Sequence, residues 1–241
     1  MPDGGLLDLR SLLMAVILSC KIIFFNLLAI MTRRLVFVGA GDLGREILAW
    51  MLHANPSLSS EARLCFIDDN IDHMSAAGLS LTSLGSIEDF FPQPEDEVVF
   101  SIANPLTRKH IVSNLTLRNC NAASFVHPSV IRSLTSVLGT GCILLPYSIL
   151  SENAHVGDFS IVNCHSSVGH DTRIGSFVTI SSHVDITGHC VVEDEAFLAS
   201  GSRILPGKRV GVRAVVGAGA VASRSVPDGN TLYATPSKLL F

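Results

Sequence analysis

The sequence predicts a two-part protein: a small α/β domain of the Rossmann-like type, followed by an all-β domain built as a parallel β-helix. Two patterns carry this prediction. An aliphatic residue recurs at every sixth position from Leu138 to Val216. Before that stretch, a strand, a glycine-rich turn and a helix follow one another over residues 35–53, which is how a βαβ unit begins. The chain has 241 residues, of which 48% are hydrophobic and 16% charged, so it can bury a large core.

The repeat of six identifies the kind of β structure. An amphipathic helix repeats about every 3.6 residues and a strand about every two. A spacing of six instead fits short parallel strands joined by tight turns, with three strands in each coil. The aliphatic residues are expected to point inward, where each contributes about 1.5–3 kcal/mol on burial. They are Leu138, Leu144, Leu150, Val156, Val162, Val168, Ile174, Ile180, Ile186, Val192, Leu198, Ile204, Val210 and Val216.

Small residues occupy two further positions of the repeat. The residue directly after the aliphatic one is often glycine, which we expect to relax the backbone near a corner of the coil. The fourth residue after it is usually small, as a narrow interior requires. The glycines are Gly139, Gly157, Gly169, Gly175, Gly211 and Gly217, and the small residues include Cys142, Ser148, Ala154, Ser160, Ser166 and Thr172.

These patterns set the expected domain boundaries. The α/β domain is predicted over 32–124, as a small parallel sheet with helices on both faces and Ala123–Val126 as its fourth strand. The β-helix is predicted over 125–241. Within it, we expect 129–137 to form an irregular first coil, and we expect the repeat to stop after Val221 and give way to a C-terminal cap.

The N-terminal residues 1–31 are predicted to be an apolar extension. From residue 11 to residue 32 the one charged side chain is Lys21, and the length suits a membrane span. However, Arg33 and Arg34 lead directly into a strand, which leaves no linker between a membrane and the domain. We expect an upstream extension or a tail, with a membrane anchor as the alternative, so membrane association stays open.

Charge and cysteine content narrow the class of protein. The net charge is −4 and the sequence contains no basic stripe, so a nucleic-acid partner is not expected. The six cysteines form no CxxC pair and no Cys/His pattern at zinc spacing. We expect reduced, mostly buried cysteines, which are typical of a cytoplasmic protein.

The glycine-rich turn at 39–44 is a candidate phosphate-binding site. It follows a strand and opens a helix, and Asp68 or Asp69 after the next strand could bind a ribose hydroxyl. Glycine also suits any strand-to-helix turn, and Asp42 within the turn would repel an anion. Because no second mononucleotide half follows, a nucleotide sugar or similar phosphate-bearing ligand is favoured over a redox dinucleotide.

The candidate catalytic group is His170. It lies two residues after the inward-pointing Val168, so it belongs near a corner of the coil, and Asp171 follows it directly. An imidazole titrates near neutral pH, and a neighbouring carboxylate would orient the ring and raise its basicity. A different arrangement, in which His165, His170 and a third imidazole bind zinc at a subunit interface, is the less favoured alternative. His127 lies in the joint between the domains rather than in the regular coils, and His165 and His170 occupy different positions of the repeat.

These motifs together resemble the sugar O/N-acyltransferases, the group of sialic acid O-acetyltransferases and UDP-amino-sugar N-acetyltransferases. The resemblance rests on the glycine turn followed by Asp68-Asp69, on the run at 101–104, and on Asn163 with Gly169-His170-Asp171 inside the repeat. It covers about residues 32–240. It implies a left-handed β-helix and a homotrimer that binds acetyl-CoA between subunits and the sugar nucleotide on the N-terminal domain.

The resemblance also implies roles for individual residues. His170 is the general base and Asp171 supports it. The residues implied to contact acetyl-CoA are Thr179, Gly188, Ser200 and Ala218, and those implied to contact the nucleotide sugar are Gly41, Asp42, Leu43, Asp68, Asp69, Ala103 and Asn163. No metal ion is expected.

The sequence therefore predicts an acyltransferase that uses acyl-CoA, most simply acetyl-CoA, for cell-surface glycan biosynthesis. The acceptor is an amino or hydroxyl group of a nucleotide-activated sugar or a sialic acid. Two alternatives remain: a non-catalytic β-helix protein that binds a nucleotide sugar or acts as a scaffold, and a β-helical zinc hydratase.

Overall fold

The computed structural model describes residues 34–61, 63–70 and 81–235. The predicted N-terminal extension at 1–31 lies outside these residues. Among the helices formed by the described residues, none has the length and apolar character needed to cross a membrane.

The first part of the chain forms a four-stranded parallel sheet. Its strands are β1 (Arg34–Val38), β2 (Arg63–Ile67), β3 (Thr82–Ser83) and β4 (Asp96–Phe100), in the order β3-β2-β1-β4. The long strands are continuous apolar runs because side chains on both faces of the sheet are buried. The predicted fourth strand at Ala123–Val126 is wrong for its second half. The Ala123 N–H donates to the Val98 carbonyl of β4, but Phe125–Val126 pair with the β-helix instead.

Helices cover both faces of this sheet, as predicted. Helix α1 (Asp42–Ala54) packs on the face that contains Leu35 and Phe37, and it is followed by the short α2 (Leu58–Glu61). Helix α3 (Pro105–Thr116) packs on the opposite face. Asn104 caps the N-terminus of this helix, since its side chain accepts a hydrogen bond from the Thr107 N–H in the first turn.

The second part of the chain is a parallel β-helix with three faces, each a sheet of two-residue strands. Face 1 contains β5 (Phe125–Val126), β8 (Ile143–Leu144), β11 (Ile161–Val162), β14 (Thr179–Ile180), β17 (Phe197–Leu198), β20 (Val215–Val216) and β22 (Thr231–Leu232). Face 2 contains β6 (Ile131–Arg132), β9 (Ile149–Leu150), β12 (Ser167–Val168), β15 (Asp185–Ile186), β18 (Arg203–Ile204) and β21 (Val221–Ala222). Face 3 contains β7 (Val137–Leu138), β10 (His155–Val156), β13 (Arg173–Ile174), β16 (Val191–Val192) and β19 (Arg209–Val210).

The repeat of six predicted the interior of this β-helix correctly. From β5 to β18, each strand pairs in parallel with the strand three positions later, so that His155 lies beside Arg173 and Val156 beside Ile174. The aliphatic positions from Leu144 to Val216 form one buried core, and Leu138 is partly buried at its open end. The small side chains four positions later are buried as well, and the Ser160 hydroxyl donates to a carbonyl of the next coil.

The role predicted for the repeat glycines is wrong in one respect. The backbone turns through positive φ not at the glycine but two residues later, often at a residue with a side chain. Gly157 is needed for a different reason: a Cβ there would lie 2.6 Å from the backbone of Gly175 in the next coil. Close stacking of coils therefore explains the glycine. Within the β-helix, the side-chain residues at positive φ are Tyr147, Asn153, Phe159, His165, Asp171, Phe177, His183, His189, Glu195 and Arg213.

Both ends of the β-helix are more regular than predicted. In the first coil, β6 and β7 pair in register with β9 and β10, so residues 129–137 are not an irregular segment. At the other end, β22 pairs with β20 although the spacing of six has stopped. Backbone hydrogen bonds continue there without the aliphatic repeat, because pairing depends on the main chain rather than on side-chain identity.

We predict that Gly157→Ala lowers the free energy of unfolding by about 1–3 kcal/mol, since the added methyl group overlaps the backbone of the next coil. Gly217→Ala is the matched control, because it occupies the same position of the repeat and its Cβ would lie 3.1 Å from the nearest atom. Urea denaturation of both variants measures the difference. Equal losses of stability would contradict the stacking explanation.

Candidate active site

The α/β domain packs on face 1 of the β-helix. Outward-pointing side chains of this face are buried in the same apolar cluster as helix α1 and one side of the sheet. At the corner between faces 3 and 1, the stacked rings of Phe159 and Phe177 complete the contact. The face 1 residues in the cluster are Phe125, Ile143, Leu145 and Ile161.

Arg108 of α3 joins the two parts of the chain. Its guanidinium is fully buried and lies within hydrogen-bond distance of backbone carbonyls on both sides of the junction, including those of Ile102 and Phe177. It also donates to the hydroxyl group of Thr179 at 3.0 Å. Burial lowers the pKa of Arg108 to about 10, so the side chain is still charged at neutral pH.

A buried carboxylate forms a second contact between the two parts. Glu195 lies at a corner of the β-helix and forms ion pairs with Lys109 of α3 and with Arg213 of the next coil. Burial alone would raise the pKa of Glu195, but the hydrogen bonds and charges of the two cations lower it below its usual value. The carboxylate is therefore held ionised against α3.

The predicted catalytic pair is formed at the corner between faces 2 and 3. His170 Nδ1 lies 2.9 Å from Asp171 Oδ2, and both side chains are exposed. The other carboxylate oxygen accepts a hydrogen bond of 3.1 Å from Asn153 Nδ2 in the preceding coil. The hydrogen bond from His170 and then that from Asn153 lower the pKa of Asp171. An ionised carboxylate thus orients the imidazole, as a general base requires.

The predicted cofactor residue Gly188 lies directly under this imidazole. A Cβ at Gly188 would overlap His170 Nε2, so glycine leaves the ring the space it occupies. His189, which the sequence analysis did not single out, lies beside them, with Nε2 3.9 Å from Asp171 Oδ2. The signal for it was present, because His189 follows Asp171 by eighteen residues, the length of one coil.

The glycine-rich turn is hydrogen-bonded to the residue that directly follows β2. Gly39 has φ +91, and the Ala40 N–H donates to Asp68 Oδ2 at 2.7 Å. The Asp69 carboxylate accepts from the Ile87 N–H at 3.0 Å. Both predicted ribose-binding aspartates therefore hold loops at the carboxyl edge of the sheet.

The other predicted nucleotide-sugar residues lie at or near this edge. Gly41 precedes α1, and Asp42 forms an ion pair with Arg45 in its first turn, which reduces the negative charge opposing an anion. Leu43 is partly buried in the apolar cluster. Ala103 is exposed, and its carbonyl accepts a hydrogen bond of 2.7 Å from the Thr179 hydroxyl.

The other residues predicted to contact acetyl-CoA, Thr179, Ser200 and Ala218, do not lie beside His170 of the same chain. Thr179 is buried under α3, and its hydroxyl is already bonded to Ala103 and Arg108, which does not fit direct contact with a cofactor. Ser200 and Ala218 lie in successive coils at the corner between faces 1 and 2. Asn163 lies at the same corner, where its side chain accepts from the Cys164 N–H.

The histidines of the alternative zinc site are also separated. His165 stacks between Tyr147 and His183 at the corner between faces 1 and 2. His127 stacks on His53 of α1, and burial lowers its pKa. His170 belongs to another corner, so the chain does not bring these three imidazoles together.

A cavity of about 520 Å³ lies in the α/β domain, beside the end of β2 and along α3. Its size is within the range of small-molecule sites. Side chains of both charges and an amide line it. The lining residues are Asp69, Ile87, Glu88, His110, Ile111, Asn114, Leu115 and Arg118.

A parallel β-helix with an imidazole–carboxylate pair exposed at one corner, joined to an α/β domain, defines a class: the hexapeptide-repeat acyltransferases. The comparison with known proteins agrees. No family model matches the chain. The GDP-perosamine N-acetyltransferase of Escherichia coli O157:H7 is 30% identical over 172 residues, which are 70% of this chain and 76% of that protein.

The comparison with solved structures also finds proteins of this fold. WeeI from Acinetobacter baumannii AYE is 29% identical, with a TM-score of 0.74 over 87% of this chain and 100% of that one. PerB from Caulobacter crescentus, solved with CoA and GDP-perosamine, shares the fold at 24% identity, with a TM-score of 0.70 over 81% and 91% of the two chains. The chain belongs to the sugar N-acyltransferase family of hexapeptide-repeat proteins, and it is an acyltransferase.

We predict that Glu195→Gln reduces the pH dependence of stability in acid. Because folding lowers the pKa of Glu195, its ion pairs stabilise the protein above the ordinary value of 4.5, and this stabilisation is lost as the pH falls through the lowered value. Denaturation between pH 3 and pH 7 measures the effect. Glu193→Gln, which removes a more exposed carboxylate paired with Arg209, is the control for the loss of one paired carboxylate, and equal changes of slope in the two variants would contradict the prediction.

Proposed function

We propose that this protein transfers an acetyl group from acetyl-CoA to an amino group of a nucleotide-activated sugar. The observation that carries the proposal is the exposed imidazole of His170, held by Asp171 on one side and facing Gly188 on the other. A relative at 30% identity is named as an N-acetyltransferase of GDP-perosamine, which favours nitrogen over oxygen as the acceptor atom.

In the proposed mechanism His170 is the general base. Asp171 accepts a hydrogen bond from Nδ1–H, which keeps the lone pair on Nε2. The acceptor amine attacks the thioester carbonyl, and its proton passes to Nε2. The tetrahedral intermediate then collapses, the bond from carbon to sulfur breaks, and the imidazolium returns the proton to the departing thiolate. General base catalysis of this kind contributes about 10²–10⁴ in rate.

The nucleotide is assigned to the α/β domain, over residues 32–124. The parallel sheet with its glycine turn is Rossmann-like, and its carboxyl edge carries Asp68 and Asp69 next to the turn. The cavity beside Asp69 offers both donors and acceptors to a base, from Asn114 and Arg118 among others. Glycan biosynthesis is the process in which such an activated amino sugar would be used.

We further propose a left-handed β-helix that assembles as a homotrimer, with each active site shared by two subunits. The positions of the α/β domain and of His170 support this proposal. The α/β domain covers face 1, whereas His170 is exposed at the opposite corner of the β-helix, between faces 2 and 3. A sugar held by one subunit's α/β domain would then reach the His170 of its neighbour. Such an arrangement also brings Gly188 near the neighbour's Ser200 and Ala218.

A cytoplasmic location is part of the same proposal. The cysteines in the described ranges are all free, and Cys142 and Cys190 serve as small buried residues of the β-helix. Cysteines used for packing rather than cross-linking suit a reducing compartment.

We predict that His170→Ala lowers kcat by at least about a hundredfold while acetyl-CoA binding is nearly unchanged, because the substitution removes the proton acceptor and none of the residues proposed to contact acetyl-CoA. Free-thiol release from acetyl-CoA, with amino sugars linked to UDP, GDP or CMP, measures turnover. His183→Ala, an exposed histidine of another corner, is the control. Normal turnover by His170→Ala would remove this residue from the mechanism, and no thiol release by the wild type would favour a non-catalytic binding protein.

The shared site predicts complementation between two inactive variants. His170→Ala destroys the catalytic corner, and Ala103→Trp is designed to block the substrate surface of the α/β domain. In an equal random mixture of the two, about a quarter of the sites combine two intact halves, so activity should recover to about that fraction. Mixing by co-expression, with the mass of the assembly measured by light scattering, tests this. Absence of recovery in confirmed mixed trimers would place the whole site within one chain.

A further inference from the structure

The corner between faces 2 and 3, which carries His170 and Asp171, also contains a histidine that the proposed acyl transfer does not use. His189 lies one coil beyond Asp171, and its ring meets that of His170 edge to face, with 4.9 Å between the ring centres. The two histidines and Asp171 are all exposed. Together they place two imidazoles around one carboxylate.

The geometry of this cluster suits a metal ion. One ligand atom from each of the three residues lies within 4.8 Å of the others. Asp171 Oδ2 is 2.9 Å from His170 Nδ1 and 3.9 Å from His189 Nε2. Zinc bonds of 2.0–2.2 Å at tetrahedral angles separate ligand atoms by about 3.4 Å, which falls between these two distances. Small rotations of exposed side chains would complete the coordination.

Two imidazoles and one carboxylate are also an established ligand set for Zn²⁺, with a fourth position left for water. All three residues project from a rigid β-helix, so the backbone positions of the ligands are fixed before the ion arrives. Asn153 holds the second oxygen of Asp171, as outer partners of metal-binding carboxylates do.

We propose that His170, Asp171 and His189 form a zinc site, and that the bound ion inhibits acyl transfer. The inhibition rests on the proposed role of His170. Coordination through Nδ1 moves the single proton of the neutral ring to Nε2. That nitrogen then has no lone pair for the proton of the acceptor amine, and the ion also takes the Asp171 oxygen that orients the ring. Zinc would therefore act as a reversible inhibitor of the base itself.

The experiment measures binding and inhibition separately. Titration of the metal-free full-length protein with Zn²⁺ against a chromophoric chelator gives affinity and stoichiometry without any substrate. We expect one ion per chain, and His189→Asn should weaken its binding by at least about ten- to a hundredfold, the effect of losing an outer partner alone. His183→Asn, which alters an exposed histidine of another corner, should bind zinc as the wild type does.

Turnover is then compared for each protein with and without Zn²⁺, so that the readout is a ratio within each variant. The wild type and His183→Asn should lose activity over the concentration range in which zinc binds. EDTA should restore the activity of both proteins. His189→Asn should require at least about tenfold more zinc. Absence of stoichiometric binding, or equal weakening by His183→Asn, would overturn the site. Zinc binding that leaves turnover intact would overturn the proposed inhibition and would count against His170 as the general base. The binding measurement uses no substrate, so its result does not depend on the proposed acyl transfer.

Discussion

The burial of Arg108 is the constraint on which the two-part arrangement depends. A fully buried guanidinium is costly unless its donors are satisfied, and this one lies among main-chain carbonyls of α3's own loop and of two coils of the β-helix. Neither part of the chain provides all of these acceptors alone. The α/β domain is therefore fixed on face 1 with a defined orientation, and Glu195 adds an ionic contact next to it.

The fixed orientation has a consequence for the chemistry. With the α/β domain attached to face 1, the corner that carries His170 is left open on the other side of the β-helix. The corner is stiff because backbone hydrogen bonds join successive coils there: the Asp171 N–H donates to the Glu152 carbonyl, and the His189 N–H donates to the His170 carbonyl. Rigid support of this kind keeps the imidazole and the carboxylate at a constant distance, which is the pre-organisation that the proposed general base requires.

The sequence predicted most strongly what depends on local spacing. The six-residue period was sufficient for the interior of the β-helix, and the adjacency of His170 and Asp171 was sufficient for their contact. The sequence did not predict contacts between segments that are far apart in the chain. Nothing near Thr179 in the sequence reveals that Ala103 and Arg108 enclose it, and the true strand partner of Phe125 lies eighteen residues away, in a coil rather than in the α/β sheet. His189 could have been found by counting one full coil from Asp171.

The corner residues at positive φ bear on how such a protein acquires chemistry. Left-handed backbone is tolerated best, after glycine, by asparagine, aspartate and histidine, and Asn153, Asp171 and His189 occupy three successive coils of a single corner in that conformation. Aspartate and histidine, two of the three side chains that this conformation accepts most readily, are also side chains that exchange protons and bind metal ions. A fold stabilised by its apolar interior can exchange these outer residues without repacking, so new reactivity can arise at a corner by single substitutions.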